Sequence, residues 1–185
     1  MPSYGLIVEG IYDTPVFQTF THRVDSPDAR FFTLECGGVG NLMTRFPRLL
    51  RSLEVIDGGN PVDRALVIRD CGRRSAADVE DEMLAKINGM VFAFPRGVGV
   101  CAVKHEAEAW LLADENAISA VSGRTSGAVN GNLEDIVDPK ERLIRILSRV
   151  KLDYLPSTLG SIAAHSDLEI MRYRLPAFRS FEQKI

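Results

Sequence analysis

The 185-residue chain is short of several things, and each shortage excludes a class of protein. Its three cysteines (Cys36, Cys71, Cys101) are odd in number and widely spaced, with no CxxC pair. That argues against a disulfide framework and against a zinc knuckle. No apolar run approaches the roughly 18 residues that a membrane span needs. Met1-Pro2-Ser3-Tyr4 leads straight into an apolar segment with no basic n-region, so no secretory signal is expected and the expected compartment is the cytoplasm. Low-complexity tracts and internal repeats are missing, which excludes a collagen-like or mucin-like chain. Helix-turn-helix, zinc-finger and RNP-like aromatic patterns are missing too, so sequence-specific DNA reading has no support.

Excess positive charge is also missing. The net charge is −3, which points away from a general nucleic-acid coat protein. Only five of the 22 basic residues are lysines. The charge is unevenly spread, with nine basic and five acidic residues in 140–185, a net of +4, which leaves −7 for 1–139. An acidic body with a basic C-terminal part fits a metal-binding, phosphate-facing protein.

What remains is ordinary globular material, 45% hydrophobic and 25% charged. Short apolar runs at 4–9, 30–36, 64–70 and 98–103 read as buried strands. Helical stretches alternate with them: one starting at the Thr14-Pro15 cap, one around Leu42–Leu53 with Pro47 inside it, one capped by Ser75, and one over about 105–121. Residues 123–132 read as a flexible loop. The remainder reads as helical, with a Ser166–Glu169 capping box and a closing helix at Ala177–Ile185 anchored by Phe178 and Phe181. This alternation predicts an α/β fold: a mostly parallel sheet of about four strands flanked by helices. The expected organisation is a core over 1–121 with a helical C-terminal extension over 122–185 packed on it.

In such sheets, ligands bind beyond the carboxyl ends of the strands. Those ends carry Glu9, Cys36 with the loop Gly37-Gly38-Val39-Gly40-Asn41, Asp70, and Lys104-His105-Glu106-Ala107-Glu108. Asp13 follows Glu9 closely. Carboxylates crowded at one place repel each other, and a divalent cation is their natural partner. Oxygen donors favour Mg²⁺ or Mn²⁺ over Zn²⁺. The candidate metal ligands are therefore Glu9, Asp13, Asp70, Glu106, Glu108 and Asp114, though Asp114 reads equally well as a helix cap before Asn116. Glu9, Asp70 and His105 are the catalytic candidates. Phosphate-binding candidates are Gly38 and Gly40 in the glycine loop, where a plain tight turn is the alternative, and Arg73 and Arg74 beside Asp70. Arg142, Arg145 and Arg149 share a helical face and read as solvated surface.

Leu6-Ile7-Val8-Glu9-Gly10 with Asp13, and Ala65-Leu66-Val67-Ile68-Arg69-Asp70, resemble two motifs of the Toprim-like domain family. In these motifs a strand ends in Glu-Gly and another ends in Asp-x-Asp. The run Glu106-Ala107-Glu108-Ala109-Trp110-Leu111-Leu112-Ala113-Asp114 and Phe178-Arg179-Ser180-Phe181 extend the likeness to small stand-alone bacterial members related to OLD-type nucleases. The resemblance implies that Glu9 acts as acid/base and Asp70 holds Mg²⁺ in a nuclease acting on DNA or RNA, in anti-phage or mobile-element systems, with an ATPase as partner protein. It departs at Gly72, which stands where the family has its second Asp; Glu106 or Glu108 is the candidate replacement. Two other readings are a non-catalytic module binding nucleic acid, a nucleotide or a protein, and a small-molecule phosphate binder using the 37–41 loop.

Overall fold

The computed structural model describes residues 1–185. Four strands, β1 (Ser3–Val8), β2 (Arg30–Glu35), β3 (Arg64–Asp70) and β4 (Val98–Val103), form one sheet in the order β2-β1-β3-β4. Every pairing is parallel, with Leu6 opposite both Thr33 and Leu66, and Val67 opposite Val100. All of β1 is buried, as expected for an apolar run covered on both faces. The outer strand β2 is only partly covered, and its two terminal residues are exposed.

The order of the strands fixes where a ligand can bind. From β1 the chain crosses to β2 on one side and then to β3 on the other. The connections therefore diverge between β1 and β3, and the crevice beyond their carboxyl ends is the topological switch point of the sheet. Glu9 and Asp70 stand at these two ends.

One face of the sheet is covered by α2 (Val39–Leu53) and α3 (Ala76–Ile87). Leu42, Phe46, Leu50 and Leu53 of α2 pack there with Ile7, Val67 and Val100. Pro47 lies inside α2 without ending it. The buried stripe on this helix outweighs the one backbone hydrogen bond that proline removes.

The other face is covered by α1 (Asp13–Val24), α4 (Glu108–Leu111) and the C-terminal helices. These are α5 (Glu115–Ser122), α6 (Pro139–Arg149), α7 (Pro156–His165), α8 (Leu168–Arg174) and α9 (Pro176–Glu182). Trp110, 1% exposed, lies among Phe17, Phe20, Phe178 and Phe181 with ring centroids 5.3–5.9 Å away. Phe17, Leu66, Trp110, Leu143, Ile162 and Phe181 belong to a single apolar cluster. The helices after 121 thus complete the core of the sheet. None of the helices is long and apolar enough to cross a membrane.

Several local readings change. Helix α1 begins at Asp13 and not at a Thr14 cap; the Thr14 hydroxyl donates instead to Glu35 Oε1 (2.8 Å) and ties α1 to the end of β2. The helix expected over 105–121 breaks into α4 and α5. Asp114 is extended there and accepts the amide of Asn116 at 3.0 Å. The cap of α8 is Asp167, accepting from Glu169 and Ile170, while Ser166 Oγ donates back to the Ile162 carbonyl. Ser75 occupies the cap position of α3 but makes no side-chain cap bond. The 123–132 segment is irregular, as its composition suggests. It is nonetheless tied down through Arg174, which donates to the Val129 carbonyl, and both Val129 and Ser126 are buried.

Helices α1 and α7 meet at Gly160, where an added Cβ would lie 2.9 Å from Pro15 Cβ. Gly160→Ala is expected to lose about 1–3 kcal/mol through overpacking. At about 2–4 °C per kcal/mol for a chain of this length, thermal melting would show it as a drop of several degrees. An unchanged melting temperature would show that the two helices separate easily.

All three cysteines are free and buried. Cys36 and Cys71 pack on the α2/α3 side, and Cys101 packs on the α1 side. Burial pushes the Cys101 thiol up to about 12.

Candidate functional site

At the switch point the carboxylate of Glu9 bridges the two central strands. Its Oε1 accepts the amide of Asp70 at 2.9 Å. The Glu9 carbonyl accepts the amides of Gly37 (2.8 Å) and Gly38 (3.0 Å), so the end of β1 also holds the loop after β2. Beyond Asp70 the chain turns through Gly72, whose φ of +54° is left-handed, and bridges to His105. That turn explains why glycine follows here: it takes a left-handed backbone without a Cβ penalty. His105 is itself left-handed, at φ +57°, and only 8% exposed.

Two adjoining cavities open here. One, of about 470 Å³, is lined by Glu9, Arg69, Asp70, Arg73, His105 and Glu106, among others. The second, of about 400 Å³, takes in Glu9, Asp13, Glu35, Asp70, Glu106 and Glu108. Glu9, Asp70 and Glu106 belong to both walls.

Crowding and burial leave a mark on these acids. Asp13 is pushed up to about 7, mainly by burial, with Glu108 and Glu9 adding repulsion. It keeps one bond, from the Gly10 amide to Oδ2 at 2.9 Å. Asp70 is raised well above the usual carboxylate range by burial and then by Asp13, Glu9, Glu108 and Glu106. Glu9 and Glu108 are also raised, again chiefly by burial. Four carboxyls of one cavity therefore resist losing their protons in the metal-free protein.

The sequence readings fare unevenly as placements. Glu9, Asp13, Asp70, His105, Glu106 and Glu108 come together around the two cavities. Asp114 does not join them: its two oxygens accept the amides of Asn116 and Asp167 (2.8 Å), so it joins α5 to the start of α8. Gly38 lines the second cavity, but its amide is already given to Glu9, and Gly40 lies in the first turn of α2 outside both walls. Arg73 faces the first cavity, whereas Arg74 pairs with Glu82 at 2.6 Å.

Other residues of the site were not among the sequence candidates. Arg69 lines the first cavity with its Nε buried and unpartnered. Tyr154 reaches in from the segment before α7, and its hydroxyl donates to Glu108 Oε1. Tyr12 stacks on Tyr154 at 4.8 Å, and the Lys140 ammonium lies 5.6 and 5.4 Å from the two ring centres. The Lys140 amide donates to Glu106 Oε2 at 3.1 Å. Tyr154 stands 46 positions from Glu108, so no spacing rule connects them.

The donor set is all oxygen, which suits Mg²⁺ or Mn²⁺. No three acidic, histidine or cysteine side chains converge on one point. Compared with protein-family models, with curated proteins and with solved structures, the chain matches none.

Proposed function

We propose that the protein is a Toprim-like, Mg²⁺- or Mn²⁺-dependent phosphoryl-transfer enzyme, a nuclease acting on DNA or RNA. One observation carries the reading: Glu9, Asp13, Asp70, Glu106 and Glu108 face shared space at the switch point of a parallel sheet, with most of their protons held abnormally tightly. A bound divalent ion would supply charge neutralisation and an activated water.

The chain's own residues do the rest. Asp70 and Glu106 present oxygens to both cavities. Glu9, half-buried and with its carboxyl raised by burial, is placed to take and return a proton. Arg69 and Arg73 line the wall beside Asp70 and are placed to hold a phosphate. His105 is a second proton carrier on the same wall. Gly72 in place of a second acid favours a runner-up reading, a non-catalytic module that binds the same ligands.

The test is a thermal melt of the wild type and of Asp70→Ala, with and without millimolar Mg²⁺ or Mn²⁺. A metal present at 100 times its Kd adds about 2.7 kcal/mol, enough to raise the wild-type melting temperature by several degrees. Asp70→Ala should lose that rise. No rise in the wild type would overturn the metal-dependent reading.

A further inference from the structure

The basic helix α6 lies next to the acidic cavities, and its three arginines form no ion pair. Arg142, Arg145 and Arg149 are exposed and share one face at spacings of three and four. None has a carboxylate within ion-pair distance. Seven of the 17 arginines have one (Arg30, Arg51, Arg69, Arg74, Arg96, Arg172 and Arg174); of the others without one, Arg23, Arg45, Arg48, Arg64, Arg73, Arg124 and Arg179, no three share a helix. In a chain of net charge −3, three unpaired guanidiniums in a row are a local reversal of sign.

Their position is tied to the site. Arg142 and Arg145 line a third cavity, of about 320 Å³, with Val129, Asn130, Ile136 and Asp138. Asp138 also lines the cavity of Glu9 and Asp70, so the two spaces are neighbours. The start of α6 is fixed to the site by the bond from the Lys140 amide to Glu106. The Arg145 Nε donates to the Glu141 carbonyl, which holds this guanidinium along its own helix.

We infer that the Arg142–Arg145–Arg149 face is a binding track for the phosphodiester backbone of a polynucleotide that also enters the carboxylate cavity. The inference rests on the phosphoryl-transfer reading and names the surface that holds its substrate chain. A cavity ringed by carboxylates repels a polyanion, so affinity has to come from cations beside it. At 1.5 Å per residue, Arg145 lies about 10 Å along α6 from Asp138 and Arg149 about 16 Å. At 3.4 Å per stacked nucleotide, that is about three to five phosphates. A mononucleotide is too short to reach both places.

The test is fluorescence anisotropy with a labelled single-stranded DNA of about 20 nucleotides, measured against salt in Mg²⁺. Glu9→Gln serves as the non-cleaving parent. Replacing all three arginines by Gln in that parent should weaken binding at least tenfold. The slope of log affinity against log salt should fall by about 2, from about 0.7 per phosphate released. The same three positions changed to Lys should keep most of the affinity. If the triple variant melts early, Arg145→Gln alone should still reduce the slope by about 0.7. Equal affinity and slope in parent and variants would overturn the track, and so would failure of the parent to bind while its metal-dependent melting shift persists. Arginine-dependent binding without any metal shift would keep the track and sink the metal reading.

Discussion

Glu9→Gln is expected to reduce phosphodiester cleavage by about a hundredfold or more, the range for loss of a proton-transferring group. The substitution is conservative in the fold. A glutamine Oε1 still accepts the Asp70 amide, so the tie between β1 and β3 survives. What disappears is a group able to gain and lose a proton, together with one of the crowded charges. Removing that charge relieves Asp70 and Asp13, both of which Glu9 destabilises in their ionised forms. The metal-free variant should therefore melt at the wild-type temperature or above. Cleavage can be followed with a labelled oligonucleotide, and folding by melting in the same buffer. Undiminished cleavage in the variant would remove Glu9 from the chemistry. If the wild type shows no cleavage, the binding module becomes the better reading.

In a chelating buffer the protein should be markedly less stable at pH 8 than at pH 5. The folded value of Asp13 is about 7 against an ordinary 3.8, so between those limits the folded state keeps a proton that the unfolded chain has lost. Stability from such a group is complete below the ordinary value and is lost as the pH rises through the folded one. The slope is about 1.4 kcal/mol per pH unit and flattens near the folded value, so Asp13 alone contributes a fall of about 2 kcal/mol between pH 5 and 7, or several degrees in melting temperature. Asp70, Glu9 and Glu108 are shifted in the same direction. Asp25, Glu54 and Glu82 are lowered by arginine partners, and their opposite contribution appears below the ordinary carboxyl range, outside this window. Mg²⁺ at pH 8 should restore much of the loss, and Asp13→Asn should flatten the profile. A metal-free profile that is flat or rising between pH 5 and 7 would show that these acids are not crowded in solution.

The strands were legible because buried parallel strands are plain apolar runs. The expected 30–36, 64–70 and 98–103 differ from the observed β2, β3 and β4 by at most one residue. Glu9 and Asp70 were legible for the same reason: each ends such a run. The break between α4 and α5 was legible only as one of two readings of Asp114, and the structure shows the cap before Asn116. Asp114 lies at helical spacing from Ala107, Trp110 and Leu111, and only its tertiary bond to the Asp167 amide shows that it holds two helices together. Gly38 had the composition of an anion loop, yet its amide was already given to Glu9, a partner 29 residues away that local pattern cannot reveal. Tyr154 and Lys140 belong to the site through packing of the C-terminal helices on the sheet, which has no periodic signature. Arg142, Arg145 and Arg149 were visible as a stripe, but their lack of counter-charges and their closeness to the acids were not.

The three buried cysteines also divide the molecule between them. Cys101 lies beneath the cover formed by α1 and the C-terminal helices, while Cys36 and Cys71 lie beneath α2 and α3. A thiol reagent can reach Cys101 or Cys36 only when its side opens, because each is at most 2% exposed, whereas Cys71 also lines the first cavity. The native chain thus carries a separate clock for each layer of its sandwich, and comparing the rates at which single thiols are modified reads which layer loosens first.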